Sequence, residues 1–155
     1  MIHLQRILVP TDFSKHSRHA LGYAAALADK FAAEIFLLHA VQSLATFFPD
    51  PLSVVPPVQE QGEPSTAAVH AAFDQLVRES RLDRFRLHRE VREGAPADTI
   101  IRFATEANID LITMGTHGHT GLAHILLGSV AEKVVRAATC PVLTVRHPEQ
   151  GIVRP

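Results

Sequence analysis

The sequence contains a single cysteine, Cys140, and no tryptophan among its 155 residues. One cysteine cannot form an intramolecular disulfide, which excludes the small secreted domains that disulfides stabilise. An excess of positive charge is also missing, since 15 Lys and Arg stand against 16 Asp and Glu. Because the basic residues form no run, the sequence predicts neither nucleic-acid binding nor attachment to an anionic membrane surface.

Long hydrophobic stretches are absent as well. No segment approaches the roughly 18 consecutive apolar residues of a membrane-spanning helix, and the N-terminal "MIHLQRILVPTDF" lacks the charged, apolar and cleavage regions of a signal peptide. With 155 residues, of which 46% are hydrophobic, the chain can bury one apolar core. We therefore expect one domain over residues 1–148, a short tail over 149–155, no membrane span and a cytoplasmic location.

Short apolar runs alternate along the chain with alanine-rich segments of helical period. In the first such segment Ala20, Tyr23, Ala24 and Leu27 repeat at helical spacing. The predicted strands are 3–10, 34–41, 85–93, 109–115 and 140–147, and the predicted helices are 14–31, 63–80, 95–108 and 128–138. This order predicts an α/β fold, a single doubly wound five-stranded parallel sheet of Rossmann-like type with helices on both faces. The segment 85–93 alternates imperfectly and is predicted to be a half-exposed edge strand.

A doubly wound sheet binds its ligand at the carboxyl ends of the strands, where the strand order reverses. The relevant ends read "VPTD", "HAV" and "MGTHG", and we expect them to converge, with His39 hydrogen-bonded near the pocket mouth. Between them the segment 42–62 carries four prolines and no helical or strand period. A loop of this length is usually a lid, a binding surface or disordered, and the sequence does not choose among these.

The segment "MGTHGHTGLAHILLGSV" joins a buried strand to a helix that is predicted to begin at Gly128 and Ser129. The free N–H groups and the partial positive charge of a helix start bind anions. Gly115 and Gly118 lack a Cβ and can adopt positive φ, which would let the main chain approach a phosphate closely. Ser129 could add a hydroxyl donor and cap the helix. The alternative is that the glycines only permit a turn.

The pattern Gly115-x-x-Gly118, nine residues, Gly128-Ser129 resembles the G-2x-G-9x-G-S/T signature of the ATP-binding branch of the universal stress protein family. The resemblance extends over "ILVPTDFS", "LLHAV", "GAPADTIIRFATEANIDLITMG" and "GSVAEKVVRAATCPVLTV". It implies that the chain binds ATP or another adenine nucleotide, with Mg²⁺ held through the phosphates. The residues implied to contact the nucleotide are Pro10, Thr11, Asp12, Val41, Met114, Gly115, Thr116, His117, Gly118, His119, Gly128, Ser129 and Val130.

The resemblance also implies a role for each part of this site. The signature glycines and Ser129 would hold the phosphates and ribose, and the end of the first strand would border the adenosine. Val41 matches a position whose backbone reads the adenine edge, and Met114 matches an apolar wall. Because the signature region carries no lysine, main-chain dipoles and Mg²⁺ would neutralise the phosphates, and protonated His117 and His119 would be further donors.

The resemblance implies a homodimer through residues 141–146, and a last strand at the sheet edge favours pairing with a second copy. The predicted function is a dimeric, nucleotide-responsive stress or signalling protein. Two alternatives remain: a weak ATPase or autophosphorylating enzyme acting at Ser129 or a neighbouring threonine, and a nucleotide-free dimeric interaction module.

The sequence gives less support to other kinds of functional site. His117, His119 and His124 suggest a metal site, but no Cys, Asp or Glu between positions 115 and 128 completes a ligand set. The sequence contains neither a P-loop nor a G-x-S-x-G elbow. We expect Cys140 to be a structural residue, and His16 and His19, three apart on the first helix, to be solvated.

Overall fold

The computed structural model describes residues 3–42, 66–118 and 127–148. The predicted loop beyond Gln42, the tail and His119 lie outside these residues. The described elements are β1 (Arg6–Pro10), α1 (Lys15–Phe31), β2 (Glu34–Val41), α2 (Thr66–Glu79), β3 (Leu87–Glu93), α3 (Pro96–Glu106), β4 (Leu111–Gly115), α4 (Ser129–Ala137) and β5 (Val142–Val145).

The described strands form one parallel sheet in the order β3-β2-β1-β4-β5. Val9 of β1 pairs with Leu37 of β2 on one side, and Leu8 of β1 pairs with Ile112 of β4 on the other. This confirms the predicted doubly wound α/β fold. The strand order reverses between β1 and β4, so the carboxyl ends of these two strands define the switch point. β3 and β5 are the edges of the described sheet, as predicted for β3.

The helix boundaries follow from local chemistry. Ser14 caps α1 by accepting a hydrogen bond from the Ser17 N–H, and Ala32 ends α1 in the left-handed conformation with φ 54°. Pro96 opens α3, where its missing N–H costs no helical hydrogen bond. β2 has its predicted bounds, whereas the other strands begin later than predicted, and β4 begins at Leu111 instead of Ile109.

The apolar core consists of one layer on each face of the sheet. α1 and α2 cover one face through residues such as Leu21, Phe73 and Leu76. α3 and α4 cover the other face through residues that include Ile100, Phe103, Ala131 and Val134. Tyr23, predicted to belong to the apolar face of the first helix, is 51% exposed, and Leu21 takes the buried position. No helix within the described ranges is both long and apolar enough to cross a membrane.

Candidate functional site

The turn after β1 is fixed by hydrogen bonds on every side of Thr11. Its N–H donates to the Leu38 carbonyl of β2 at 2.8 Å. Its hydroxyl lies 3.1 Å from the Ser17 hydroxyl and accepts from the Phe13 N–H at 3.0 Å. Asp12 Oδ1 accepts from the Ser14 N–H at 3.0 Å, and Phe13 occupies the left-handed region with φ 62°. The turn therefore holds Asp12 at the switch point.

The end of β2 lies beside this turn. His39 Nδ1 is 2.8 Å from the Thr11 carbonyl oxygen, and since a carbonyl only accepts, Nδ1 carries the proton. This confirms the predicted hydrogen bond of His39 near the pocket mouth. Ala40 and Gln42 line the cavity, whereas Val41 is not one of its lining residues. The Val41 carbonyl instead accepts from the Gly94 N–H at 2.9 Å.

The signature glycines lie in crowded surroundings, where an added Cβ would force neighbouring atoms to move. A Cβ on Gly118 would lie 2.7 Å from Asp12 Oδ2, and a Cβ on Gly115 would lie 3.1 Å from the His16 carbonyl. A Cβ on Gly128 would lie 3.1 Å from the Thr116 carbonyl oxygen. Positive φ is not the reason, because Gly94 is the only glycine of the described ranges that adopts it. The expectation of left-handed backbone at Gly115 and Gly118 was therefore wrong.

The start of α4 presents backbone donors to the same space. The Gly128 N–H donates to the Thr116 carbonyl at 2.7 Å, and the Glu132 N–H makes the first helical bond, to the Gly128 carbonyl, at 2.9 Å. The N–H groups of Ser129, Val130 and Ala131 precede that bond, and all three residues line the cavity. Gly128 is the N-cap and no side chain caps this helix. Ser129, expected to cap it, is instead its exposed first residue.

These segments enclose a cavity of about 400 Å³ at the switch point. Apolar side chains form one part of its wall, namely Pro10, Leu38, Ala40, Pro96, Ile100 and Met114. Polar groups and main chain form the other part, namely Thr11, Asp12, Ser17, His39, Gln42, Gly115, Thr116, His117, Gly118, Gly128, Ser129, Val130 and Ala131. The strand ends converge as predicted.

Several lining residues were missed by sequence reasoning. Pro96 and Ile100 belong to α3, and Ser17 belongs to α1, so each enters the cavity wall through helix packing. Leu38 and Ala40 lie on the same face of β2, because side chains alternate between the two faces of a strand. Leu38 belongs to the same apolar layer as Met114. That alternation was the one signal in the sequence that could have selected Ala40 over Val41.

The charge in the cavity wall is small. Asp12 is the one carboxylate among the lining residues of the described ranges, and no lysine or arginine accompanies it. Lys133 of α4 pairs with Asp98 of α3 at 2.8 Å, outside the lining set. His39 and His117 are the lining side chains that can acquire positive charge. An anion in this cavity would therefore interact chiefly with backbone dipoles and imidazoles.

Burial shifts the pKa of two titratable groups, His16 next to the cavity and Cys140 at the opposite edge of the sheet, before the amino end of β5. Burial lowers the pKa of His16 below 6.5, with His147, Lys15 and His117 adding to this effect and Asp12 opposing it. His16 is only 9% exposed, so the expectation that it is solvated was wrong. Burial also raises the pKa of the Cys140 thiol, with the Asp110 carboxylate contributing. A raised pKa disfavours the reactive thiolate, in agreement with a structural role for Cys140.

A doubly wound parallel sheet with a glycine-lined cavity at its switch point is typical of the class of α/β proteins in which ligands bind at the strand ends. The universal stress protein family model matches residues 3–146, and the chain belongs to this family.

Similarity to individual members extends over nearly the whole chain. The universal stress protein MJ0531 of Methanocaldococcus jannaschii is 35% identical over 151 residues, which cover 94% of this chain and 84% of MJ0531. The solved structure of MJ0577 from the same organism superposes with a TM-score of 0.74 at 28% identity, over 95% of this chain and 98% of MJ0577. A universal stress protein solved in complex with cAMP has the same fold, with a TM-score of 0.69, 24% identity, and coverage of 93% and 98%.

Proposed function

We propose that this universal stress protein binds an adenine nucleotide, ATP with Mg²⁺, in the cavity at the switch point. The observation that carries the proposal is the composition of the cavity wall, which combines apolar side chains with the free backbone N–H groups of a helix start. A nucleotide requires both, since its base is planar and largely apolar on its faces and its phosphates are anionic. The size of about 400 Å³ lies within the range of small-molecule sites.

The base fits the apolar part of the wall. Pro10, Pro96 and Ile100 offer flat or branched apolar surface from three different elements. Ala40 and Gln42 bring main chain to the same end of the cavity, and their N–H and carbonyl groups can pair with the edge of adenine. We assign the reading of the adenine edge to this main chain rather than to Val41, whose carbonyl bonds to Gly94.

The phosphates fit the other end. The N–H groups of Ser129, Val130 and Ala131 precede the first helical bond of α4, where the helix dipole also favours negative charge. Gly115, Thr116, His117 and Gly118 line the cavity beside them. Since no lysine or arginine is among the described lining residues, Mg²⁺ would supply the remaining positive charge, held by phosphate oxygens and water. The complex of a family member with cAMP supports an adenine nucleotide as the ligand.

We further propose that the nucleotide-bound protein acts as a homodimer in stress signalling, paired through β5. The hydrogen bonds from Ile112 N–H to Pro141 and from Thr116 N–H to Val145 direct the odd-numbered carbonyls of β5 toward β4. The N–H and carbonyl groups of Val142 and Thr144 therefore lie at the outer edge of the described sheet. A second copy across a two-fold axis would satisfy them.

Titration calorimetry with Mg-ATP tests the site, with a pair of glycine variants. Gly118→Val should abolish binding, because Gly118 lines the cavity and the valine side chain would occupy space there and displace the Asp12 carboxylate, whose Oδ2 lies 2.7 Å from the added Cβ. Gly22→Ala in α1 is the matched control, since no atom lies within 4 Å of the added Cβ. Both variants should retain the wild-type far-UV spectrum. Wild-type affinity in Gly118→Val would show that the phosphates bind elsewhere.

A phosphate-release assay on the wild type separates nucleotide binding from the alternative of slow ATP hydrolysis or autophosphorylation. We expect binding without appreciable turnover, because phosphoryl transfer depends on cationic side chains as well as metal ions to stabilise the transferred group, and no lysine or arginine is among the described lining residues. Lack of any nucleotide binding would favour the dimeric interaction module instead.

A further inference from the structure

Four imidazole rings from three separate chain segments meet beside the phosphate end of the cavity. His16 and His19 lie on α1, His117 follows β4, and His147 follows β5. The ring centroid of His147 lies 5.4 Å from that of His16 and 5.2 Å from that of His19. The His16 and His117 centroids are 6.2 Å apart. We call these four residues the imidazole cluster.

His16 is the buried member at the centre of the cluster. It is 9% exposed, and its Nδ1 has no hydrogen-bond partner among the described residues. The titratable groups that act on it come from four segments: Lys15 of α1, Asp12 of the turn after β1, His117 after β4, and His147 after β5. Asp12 is the one acidic member of this set. A proton on His16 therefore adds positive charge where positive charge is already close.

The cluster is joined directly to the proposed phosphate site. His117 lines the cavity, and its Nδ1 is 3.0 Å from the Thr116 hydroxyl. The His16 carbonyl lies 3.1 Å from the position of a Cβ on Gly115, which is also a lining residue. His117 therefore borders the cavity itself, with His16 one ring spacing away from it and His147 two. Over such distances in a partly buried site, unit charges interact appreciably.

We propose that the imidazole cluster makes phosphate binding proton-dependent, so that the protein takes up protons as it binds the nucleotide and binds it more tightly as the pH falls. The inference rests on the proposed function and assigns a regulation to that same site. Without an anion, a proton on His16 is disfavoured by burial and by repulsion from Lys15 and from the neighbouring imidazoles when they are protonated. A bound phosphate offsets this repulsion. Because the two equilibria are thermodynamically linked, a bound phosphate that favours protonation of the rings is itself bound more tightly, by the same factor, when the rings are protonated.

Titration calorimetry with two ligands and three variants of the full chain tests this. The ligands are ADP without added metal and adenosine, which has no phosphate, each measured at about pH 8 and about pH 6. His16→Phe and His147→Phe keep an aromatic ring but cannot take up a proton, and neither residue lines the cavity. His70→Phe is the matched control, because His70 is an exposed histidine on α2. ADP itself titrates near pH 6. The readout is therefore the ADP affinity of each variant relative to that of the wild type at the same pH.

For each protein, the gain is the ADP affinity at about pH 6 divided by that at about pH 8. We expect this gain to be on the order of fivefold larger in the wild type and His70→Phe than in His16→Phe and His147→Phe. Adenosine affinity should be the same in all four proteins, which also shows that the variants are folded. Equal gains for ADP in all four proteins would overturn the inference and leave the nucleotide site intact. Failure of the wild type to bind either ligand would overturn the proposed function, and this inference with it.

Discussion

Replacing Ser129 by proline removes one backbone donor from the first turn of α4 and puts the ring Cδ in place of the amide hydrogen. Proline is favoured at the first position of a helix, where its fixed φ suits the helix and the N–H makes no helical bond. The preceding residue must be extended, and Gly128 already has φ −66° and ψ 156°. The bond from the Gly128 N–H to Thr116, at 2.7 Å, is retained. We therefore expect α4 to form as in the wild type.

The expected loss follows from the hydrogen bond that disappears. A bond from an N–H to a charged acceptor contributes about 1.5–3 kcal/mol. Its removal should weaken nucleotide binding by about 10- to 100-fold, since 1.4 kcal/mol is about a factor of ten. The N–H groups of Val130 and Ala131 remain, so binding should be weakened and not abolished.

The assay is calorimetric titration of ADP into Ser129→Pro, Ser129→Ala and the wild type. Ser129→Ala keeps the N–H and removes the hydroxyl, so it isolates the contribution of the side chain. Adenosine serves as the second ligand, because its affinity should not depend on a phosphate donor. We expect Ser129→Pro to lose ADP affinity selectively, with Ser129→Ala closer to the wild type.

Two results would refute this reasoning. Equal ADP affinity in Ser129→Pro and the wild type would mean that the α4 N-terminus does not hold a phosphate. Equal losses for adenosine and ADP would mean that proline disturbs the whole cavity and that its effect is not a missing donor. Thermal denaturation distinguishes the second case, because proline at a compatible position should change stability by no more than about 1 kcal/mol.

Two further predictions concern the edge strand and the buried histidine. Thr144→Pro should abolish a dimer formed through β5, because it removes an N–H at the outer edge of the described sheet while the bonds to β4 stay intact. Light scattering at micromolar concentration checks this, with Thr144→Ala as the control, and a dimer in Thr144→Pro would contradict it. His16 should make folding sensitive to acid, because burial lowers its folded-state pKa below 6.5, so the unfolded chain binds the proton first. Its contribution to stability is complete above about pH 6.5 and is lost as the pH falls from there toward the lowered pKa. Urea unfolding at several pH values should show that acid reduces the free energy of unfolding less in His16→Phe than in the wild type. The same pH dependence in both proteins would count against a buried neutral His16.

Secondary structure was largely readable from the sequence because it depends on neighbouring residues. The alternation of apolar strands with alanine-rich helices predicted each described element and the doubly wound sheet. Ser14 and Pro96 mark helix starts through their own chemistry. The boundaries were less certain, since β4 begins at Leu111 and α4 is capped by Gly128. The end of an element depends on which backbone groups find partners in the fold.

The candidate site was readable in part. Spacing alone located the main-chain end of the cavity at Gly115, Gly118 and Gly128, although the reason is close packing and not positive φ. The apolar end was predicted only in part: Pro10 and Met114 were among the predicted residues, whereas Pro96 and Ile100 were missed because they reach the cavity only when α3 packs on the sheet. Tyr23 was assigned to the core since helical spacing does not specify how far the apolar face extends.

The sequence by itself determined the fold class, the position of the switch point and the glycine loop, because periodicity, strand ends and residue spacing are local properties of the chain. Only the tertiary structure decided that Ala40 and not Val41 faces the cavity and that His16 is buried. It also decided that His16, His117 and His147 form one cluster. These residues lie far apart in sequence, and their contacts arise when α1, β4 and β5 pack together.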